Sequence, residues 1–278
     1  MANPKDSRSW AQPAEQGVTA AINGPTDDPH AQLVADAIRG YVPGIVRAEW
    51  KGAKNYADGG DIILELMYGV KRVCECKFSR GSGSGTAKNL GAKTFSKHID
   101  NSIIDYQKFE LAYKTQRYDL VEHYVGRQPR TASEYYDILR GWRTTDPSRL
   151  AEIADITAPG QEAYADYAAE QLNLHLPNVN LFVNEQLFVN EQLRQDVVYC
   201  VTKNWQGKFQ STEFYDFSNM DRVVTHVEAK GKTIYFKNGK GKVVLKMSVN
   251  WKNICQGGMT PSFNVFIGNE FSHNDHND

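Results

Sequence analysis

The chain has 278 residues, a net charge of −1, 41% hydrophobic residues and 23% charged residues, the balance of an ordinary globular protein long enough to bury a sizeable core. No run of about 18 apolar residues occurs, so no membrane span is expected. The opening MANPKDSRSWAQPAEQ lacks the apolar stretch of a secretory leader, so a cytoplasmic location is expected. Cysteines 74, 76, 200 and 255 include no CxxC pair, which argues against a disulfide framework or a four-ligand zinc site and for simple thiols.

Residues 1–28 carry Pro, Gly, Ser and Asp with little apolar periodicity and read as a flexible N-terminal arm. Asp28-Pro29 then opens a helix with Leu33, Val34, Ala37 and Ile38 at helical spacing, stopped by Gly40 and Pro43. A short strand over 44–50 and a polar loop over 51–60 lead into GGDIILELMYGVKRVCECK, residues 59–77. That stretch reads as a hairpin. Asp61 opens its first apolar run, Gly69 sits near the turn, and Glu75-Cys76-Lys77 closes the second run.

A Gly/Ser-rich loop with Arg80 and Lys88 follows, without the GxxxxGK[ST] spacing of a nucleotide-binding loop. Thr94 to about Thr115 is expected to be a helix with Phe95, Ile99, Ile103, Ile104 and Leu111 on one face. Further helices are expected over 133–142, 147–156 and 161–174, their tyrosines serving as packing. The hexamer LFVNEQ is repeated in tandem over 181–192, too short a repeat for a solenoid. From 196 to 252 the pattern alternates as strands, with a turn at Asn238-Gly239-Lys240-Gly241. A last strand is expected over 262–267, and a frayed polar tail over 271–278.

Charge is segregated along the chain. Lys71 to Lys97 holds seven Lys/Arg against Glu75 alone, and Cys200 to Lys252 holds ten against four acids. The stretch between them, 98–196, is acidic, with sixteen Asp/Glu and nine Lys/Arg. Such a distribution can give a neutral protein a basic face suited to a polyanion; a solvated lysine-rich hairpin would leave the same pattern.

In the hairpin, Glu75 and Lys77 share one strand face, and antiparallel pairing brings Asp61 close to Glu75. Two carboxylates and an ammonium at one sheet edge can hold Mg²⁺ and activate water. Glu49 in the preceding strand is a further candidate acid, its alternative being a solvent-facing strand residue. Glu65, four residues beyond Asp61, lies roughly 13 Å away at strand rise and is set aside.

A helix, a strand, GGD with an apolar strand, a short turn and apolar-E-x-K together resemble the PD-(D/E)xK nuclease superfamily, over residues 30–115. The matching residues are Asp61, Glu75 and Lys77; Gly60 stands where that family often has Pro. Gln107 is followed four residues on by Leu111, so the QxxxY motif of the exonuclease branch is missing, and the remaining likeness is to type II restriction endonucleases. The resemblance implies an α/β (α+β) fold with a restriction-endonuclease-like core: a mixed central sheet flanked by helices. It implies one nuclease domain over 29–270, with its core over 30–115, a helical insertion over 116–180 and a β-rich part over 196–268.

The chemistry implied is Mg²⁺-dependent, sequence-specific hydrolysis of double-stranded DNA by a homodimer. Asp61, Glu75 and the Cys76 backbone carbonyl would ligate the metal, with Glu49 as the additional acid. Lys77 would orient or deprotonate the attacking water. Lys51, Lys54, Arg80, Lys88, Asn250 and Lys252 would contact DNA. The alternatives are a structure-specific junction or repair endonuclease and a non-catalytic DNA-binding protein.

Overall fold

The computed structural model describes residues 8–51, 61–79, 88–91, 97–187, 197–205, 208–215, 221–251, 261–267 and 272–273. In chain order these form helices and strands α1 (Arg8–Asn23), α2 (Pro29–Tyr41), β1 (Ile45–Trp50), β2 (Ile62–Leu66), β3 (Lys71–Ser79), β4 (Lys88–Gly91), α3 (Tyr106–Val125), α4 (Ala132–Thr145), α5 (Pro147–Asn173) and α6 (Leu176–Gln186). They continue with β5 (Val197–Trp205), β6 (Lys208–Tyr215), β7 (Val224–Lys230), β8 (Thr233–Asn238), β9 (Val243–Trp251), β10 (Pro261–Ile267) and β11 (Ser272–His273). The architecture is mixed α+β. The chain divides into two compact units: residues 1–85, 187–220 and 271–278, and residues 86–186 and 221–270. The chain leaves the first unit after β3 and re-enters it at β5, so the β-rich stretch expected over 196–268 is shared between the units.

The first unit is built on a six-stranded sheet of order β1-β2-β3-β5-β6-β11. Its one parallel ladder joins β3 to β5, and the other four are antiparallel. One face is apolar. Ala48, Ile62, Leu64, Cys74, Cys76 and Phe214 pack with Val34, Ala35 and Ile38 of α2 and Val18, Ala21 and Ile22 of α1.

Helix α2 starts where Asp28 accepts hydrogen bonds from the His30 and Ala31 amides, with Pro29 in the first turn. From α2, Arg39 reaches the Ala21 and Ile22 carbonyls at the end of α1, supplying donors where a helix has none of its own. The expected arm over 1–28 is therefore corrected: residues 8–23 are helical, and the apolar spacing of Val18, Ala21 and Ile22 buries that helix. The hairpin turns through Tyr68 (φ 67°) and Gly69 (φ 76°), and the Leu66 amide bonds the Val70 carbonyl. Ser272 and His273 pair with β6, so the tail is structured at its start.

The second unit has a five-stranded antiparallel sheet of order β4-β10-β9-β8-β7. Ile234, Phe236, Leu245, Met247, Phe263 and Val265 are fully buried on it, and α5 and α6 lie against β7. The Phe182 ring of α6 sits 5.9 Å from that of Phe236. A smaller core joins Val121, Tyr135, Leu139, Trp142 and Ile153 of α3, α4 and α5.

Two helical expectations change here. The helix expected over 94–115 starts at Tyr106, capped by the Asp105 side chain on the Lys108 amide. Ile99, Ile103 and Ile104 are buried, as their spacing suggests, but in turns, because Asp100 bonds the amide and hydroxyl of Ser102 and its carbonyl takes the Ile103 and Ile104 amides. Helices expected separately over 147–156 and 161–174 are one, α5, with Pro159 inside it.

Both outer strands that face helices are closed by asparagines. Asn23 bonds both the amide and the carbonyl of Ala48 on β1. Asn173 does the same for Val227, and Asn180 for Val224, on β7. Each side-chain amide stands in for a neighbouring strand and satisfies an edge that would otherwise offer itself for pairing.

Candidate active site

The antiparallel ladder pairs Ile62 with Cys74 and Trp50 with Ile62. Lys51 directly follows β1 and Asp61 directly precedes β2, while Glu75 follows Cys74 within β3. Ile62, Cys74 and Cys76 belong to the apolar core, so strand alternation sends Glu75 and Lys77 of β3 to the other face.

The Asp61 backbone is fixed on both sides: its amide bonds the Cys74 carbonyl at 2.8 Å, and its carbonyl takes the Lys51 amide at 3.0 Å. Its carboxylate Oδ2 accepts from the Cys76 amide at 2.8 Å. In a strand the N–H and C=O of one residue point to the same edge, so the Cys76 carbonyl is directed toward the Asp61 side, where β2 begins. On the next pleat of β3, the Lys77 ammonium donates to Glu75 Oε1.

Electrostatics couple the three groups. Burial, then the neighbouring Glu75 charge, raises the Asp61 pKa to about 7; Lys77 and the Cys76 amide oppose this, and Glu15 adds to it. Burial alone would lower the Lys77 pKa, but the Glu75 and Asp61 carboxylates outweigh it and hold the ammonium above the ordinary lysine value. What the geometry gives Lys77 is a fixed positive charge on Glu75.

One contributor lay outside the sequence reading. Glu15, on α1, accepts a 3.0 Å hydrogen bond from Trp50 Nε1. Its pKa is raised chiefly by burial, and it feels the charges of Lys77 and Glu75. The signal that would have found it is the apolar spacing that makes α1 a buried helix. Glu213 is buried on β6 opposite Val201, which pairs with Lys77. It thus shares the Lys77 row two strands away, roughly 10 Å at sheet spacing.

Glu49 is exposed on β1 opposite Ile63, on the same face as Lys51 and two residues before it. Lys51 is half-buried beside Asp61. Lys88, in β4, and Asn250, in β9, belong to the second unit. Lys54, Arg80 and Lys252 lie outside the described residues. The Cys74 and Cys76 side chains are buried, their sulfurs 3.6 Å apart.

Among the described residues no three His, Cys, Asp or Glu side chains gather as a metal cluster, so a cation here would rely on two carboxylates completed by main-chain oxygen and water. That all-oxygen donor set suits Mg²⁺, which keeps several waters and takes one or two carboxylates from a protein. The shift at Asp61, driven upward by burial and by Glu75, marks a place where added positive charge is favoured.

No protein-family model, curated protein or solved structure matches the chain. Among the described residues no helix is long and apolar enough to cross a membrane.

Proposed function

We propose that the protein is a Mg²⁺-dependent endodeoxyribonuclease of the type II restriction kind, acting on double-stranded DNA in the cytoplasm. The observation that carries this reading is the ladder register. It pairs Ile62 with Cys74, so that Asp61, one residue earlier, reaches the Cys76 amide with its carboxylate, while Lys77 bonds Glu75. Further support comes from connectivity: a helix, three antiparallel strands, and then a strand parallel to the third. That is the arrangement expected of a restriction-endonuclease-like core.

Bound between the acids, Mg²⁺ would polarise the phosphate and lower the pKa of water. Asp61 and Glu75 would hold it, with the Cys76 carbonyl on the same side. The Cys76 amide keeps the Asp61 carboxylate in place. Lys77, tied to Glu75, sets positive charge beside the scissile phosphate and offsets charge as the phosphorane forms. A two-fold DNA target would be met by a homodimer.

The test is plasmid cleavage with Mg²⁺ and with chelator, comparing the native chain with Glu75→Ala and Asp61→Ala. Discrete fragments are expected, and each substitution should cut the rate at least about a hundredfold, since a lost metal ligand removes several kcal/mol of charge stabilisation. Absence of metal-dependent cleavage on any DNA would refute the reading.

A further inference from the structure

The second unit's sheet has two unlike faces. Phe236, Leu245, Met247 and Val249 point to the face where Phe182 of α6 packs. By alternation the other face carries Lys230, Tyr235, Lys246, Asn250 and Phe266, together with Glu228, which stands beside Tyr235 and is paired to Lys237. The ladders align Tyr235 beside Lys246 beside Phe266. Lys246 Nζ lies 5.4 Å from the Phe266 ring centre. Lys232, in the β7–β8 turn, bonds the Asn250 side chain at 3.1 Å, which brings a further ammonium to this face.

The charge is one-sided. Residues 221–267 hold eight Lys/Arg against Asp221 and Glu228, and both acids are already matched, Glu228 by Lys237 and Asp221 by Lys240. Lysines and hydrogen-bonding side chains around two aromatic rings are the chemistry that holds a nucleic-acid strand, phosphates on ammonium groups and bases on ring faces. The width of the face decides the form of that strand. Four strands at sheet spacing span roughly 14 Å, broader than the groove of about 12 Å that admits only a two-stranded ribbon. A strand with its bases turned out meets no such limit.

We propose that this face binds single-stranded DNA, with Lys230, Lys232 and Lys246 taking phosphates and Tyr235 and Phe266 stacking bases. The choice of DNA over RNA rests on the nuclease reading; the surface itself does not.

The test is fluorescence anisotropy of a labelled thymidine oligonucleotide and of a duplex, across a salt series, with Ca²⁺ in place of Mg²⁺. Lys232→Ala with Lys246→Ala should weaken oligonucleotide binding about tenfold and lower the salt slope by about 1.4, two single-strand phosphate contacts. Tyr235→Leu should weaken it about five- to a hundredfold while Tyr235→Phe binds as the native chain does, since stacking needs a ring and not the hydroxyl. Unchanged melting temperatures verify that these variants are folded. Native-like binding by the lysine variant, or a loss confined to the duplex, would overturn the proposal. If the native chain cleaves plasmid DNA while the lysine variant binds normally, this surface fails and the nuclease reading stands. If the lysine-dependent strand binding appears without metal-dependent cleavage, the nuclease reading fails and the surface stands.

Discussion

Asp61→Asn should make the metal-free protein more stable above neutral pH. The Asp61 pKa lies near 7, raised from 3.8 first by burial and then by the Glu75 charge. The folded state therefore holds a proton between about pH 4 and pH 7 that the unfolded chain releases, and stability falls as pH rises through that window. A shift of about three units corresponds to at most about 4 kcal/mol, and relaxation of Glu75 and Lys77 brings the expected gain to about 2–4 kcal/mol near pH 8. Asparagine keeps a side-chain oxygen for the Cys76 amide, so the 2.8 Å hydrogen bond need not be lost. Urea unfolding in chelator, at about pH 5.5 and about pH 8, isolates the effect: about 1–2 kcal/mol of the difference should develop between them. Mg²⁺ should then stabilise the native chain and leave Asp61→Asn unmoved. A variant less stable than the native chain near pH 8, or a difference independent of pH, would show that the Asp61 charge is not the strained element.

Two further outcomes test the fold. Asn173→Leu removes both bonds to Val227; orphaning that amide and carbonyl should cost about 2–4 kcal/mol, with faster hydrogen exchange at the Val227 amide as the local readout. Deleting residues 187–192 removes the second LFVNEQ copy and brings Leu193 to follow Gln186, in the place of the fully buried Leu187. Helix α6 ends at Gln186, so the urea midpoint should shift by less than about 1 kcal/mol equivalent; failure to fold would give the duplication a structural role.

Elements whose pattern is local were legible. Helix α2 announces itself by Asp28-Pro29 and apolar spacing, and the hairpin by alternation on either side of Gly69. The turn at Asn238–Gly241 likewise closes β8 onto β9, with the Gly241 amide on the Asn238 carbonyl. Elements decided by distant packing were not. Pro13 and Gly17 make α1 look like coil, and only burial against the sheet overrides them. Pro159 forfeits a helical bond at a cost of about 3 kcal/mol, yet α5 continues because Ile153, Thr157, Gln161, Ala165, Ala168 and Leu172 bury one face through it. At Asp100-Asn101-Ser102 the reverse happens. Apolar spacing suits a helix, but a short side chain captures the backbone first.

The same division runs through the candidate site. Asp61, Glu75 and Lys77 come from one hairpin, so their juxtaposition follows from a two-residue alternation and a turn. Glu15 joins them only because α1 packs on the sheet and Trp50 holds its carboxylate. Its inclusion alters the charge sum: three acids, Glu15, Asp61 and Glu75, influence one another around the Lys77 ammonium. A lysine so placed gives up its proton reluctantly, because doing so would leave carboxylates facing one another in a half-buried space. The spacing E-x-K thus fixes where Lys77 sits, while the surplus of neighbouring acids fixes what it can do. It stands as a counter-charge to Glu75.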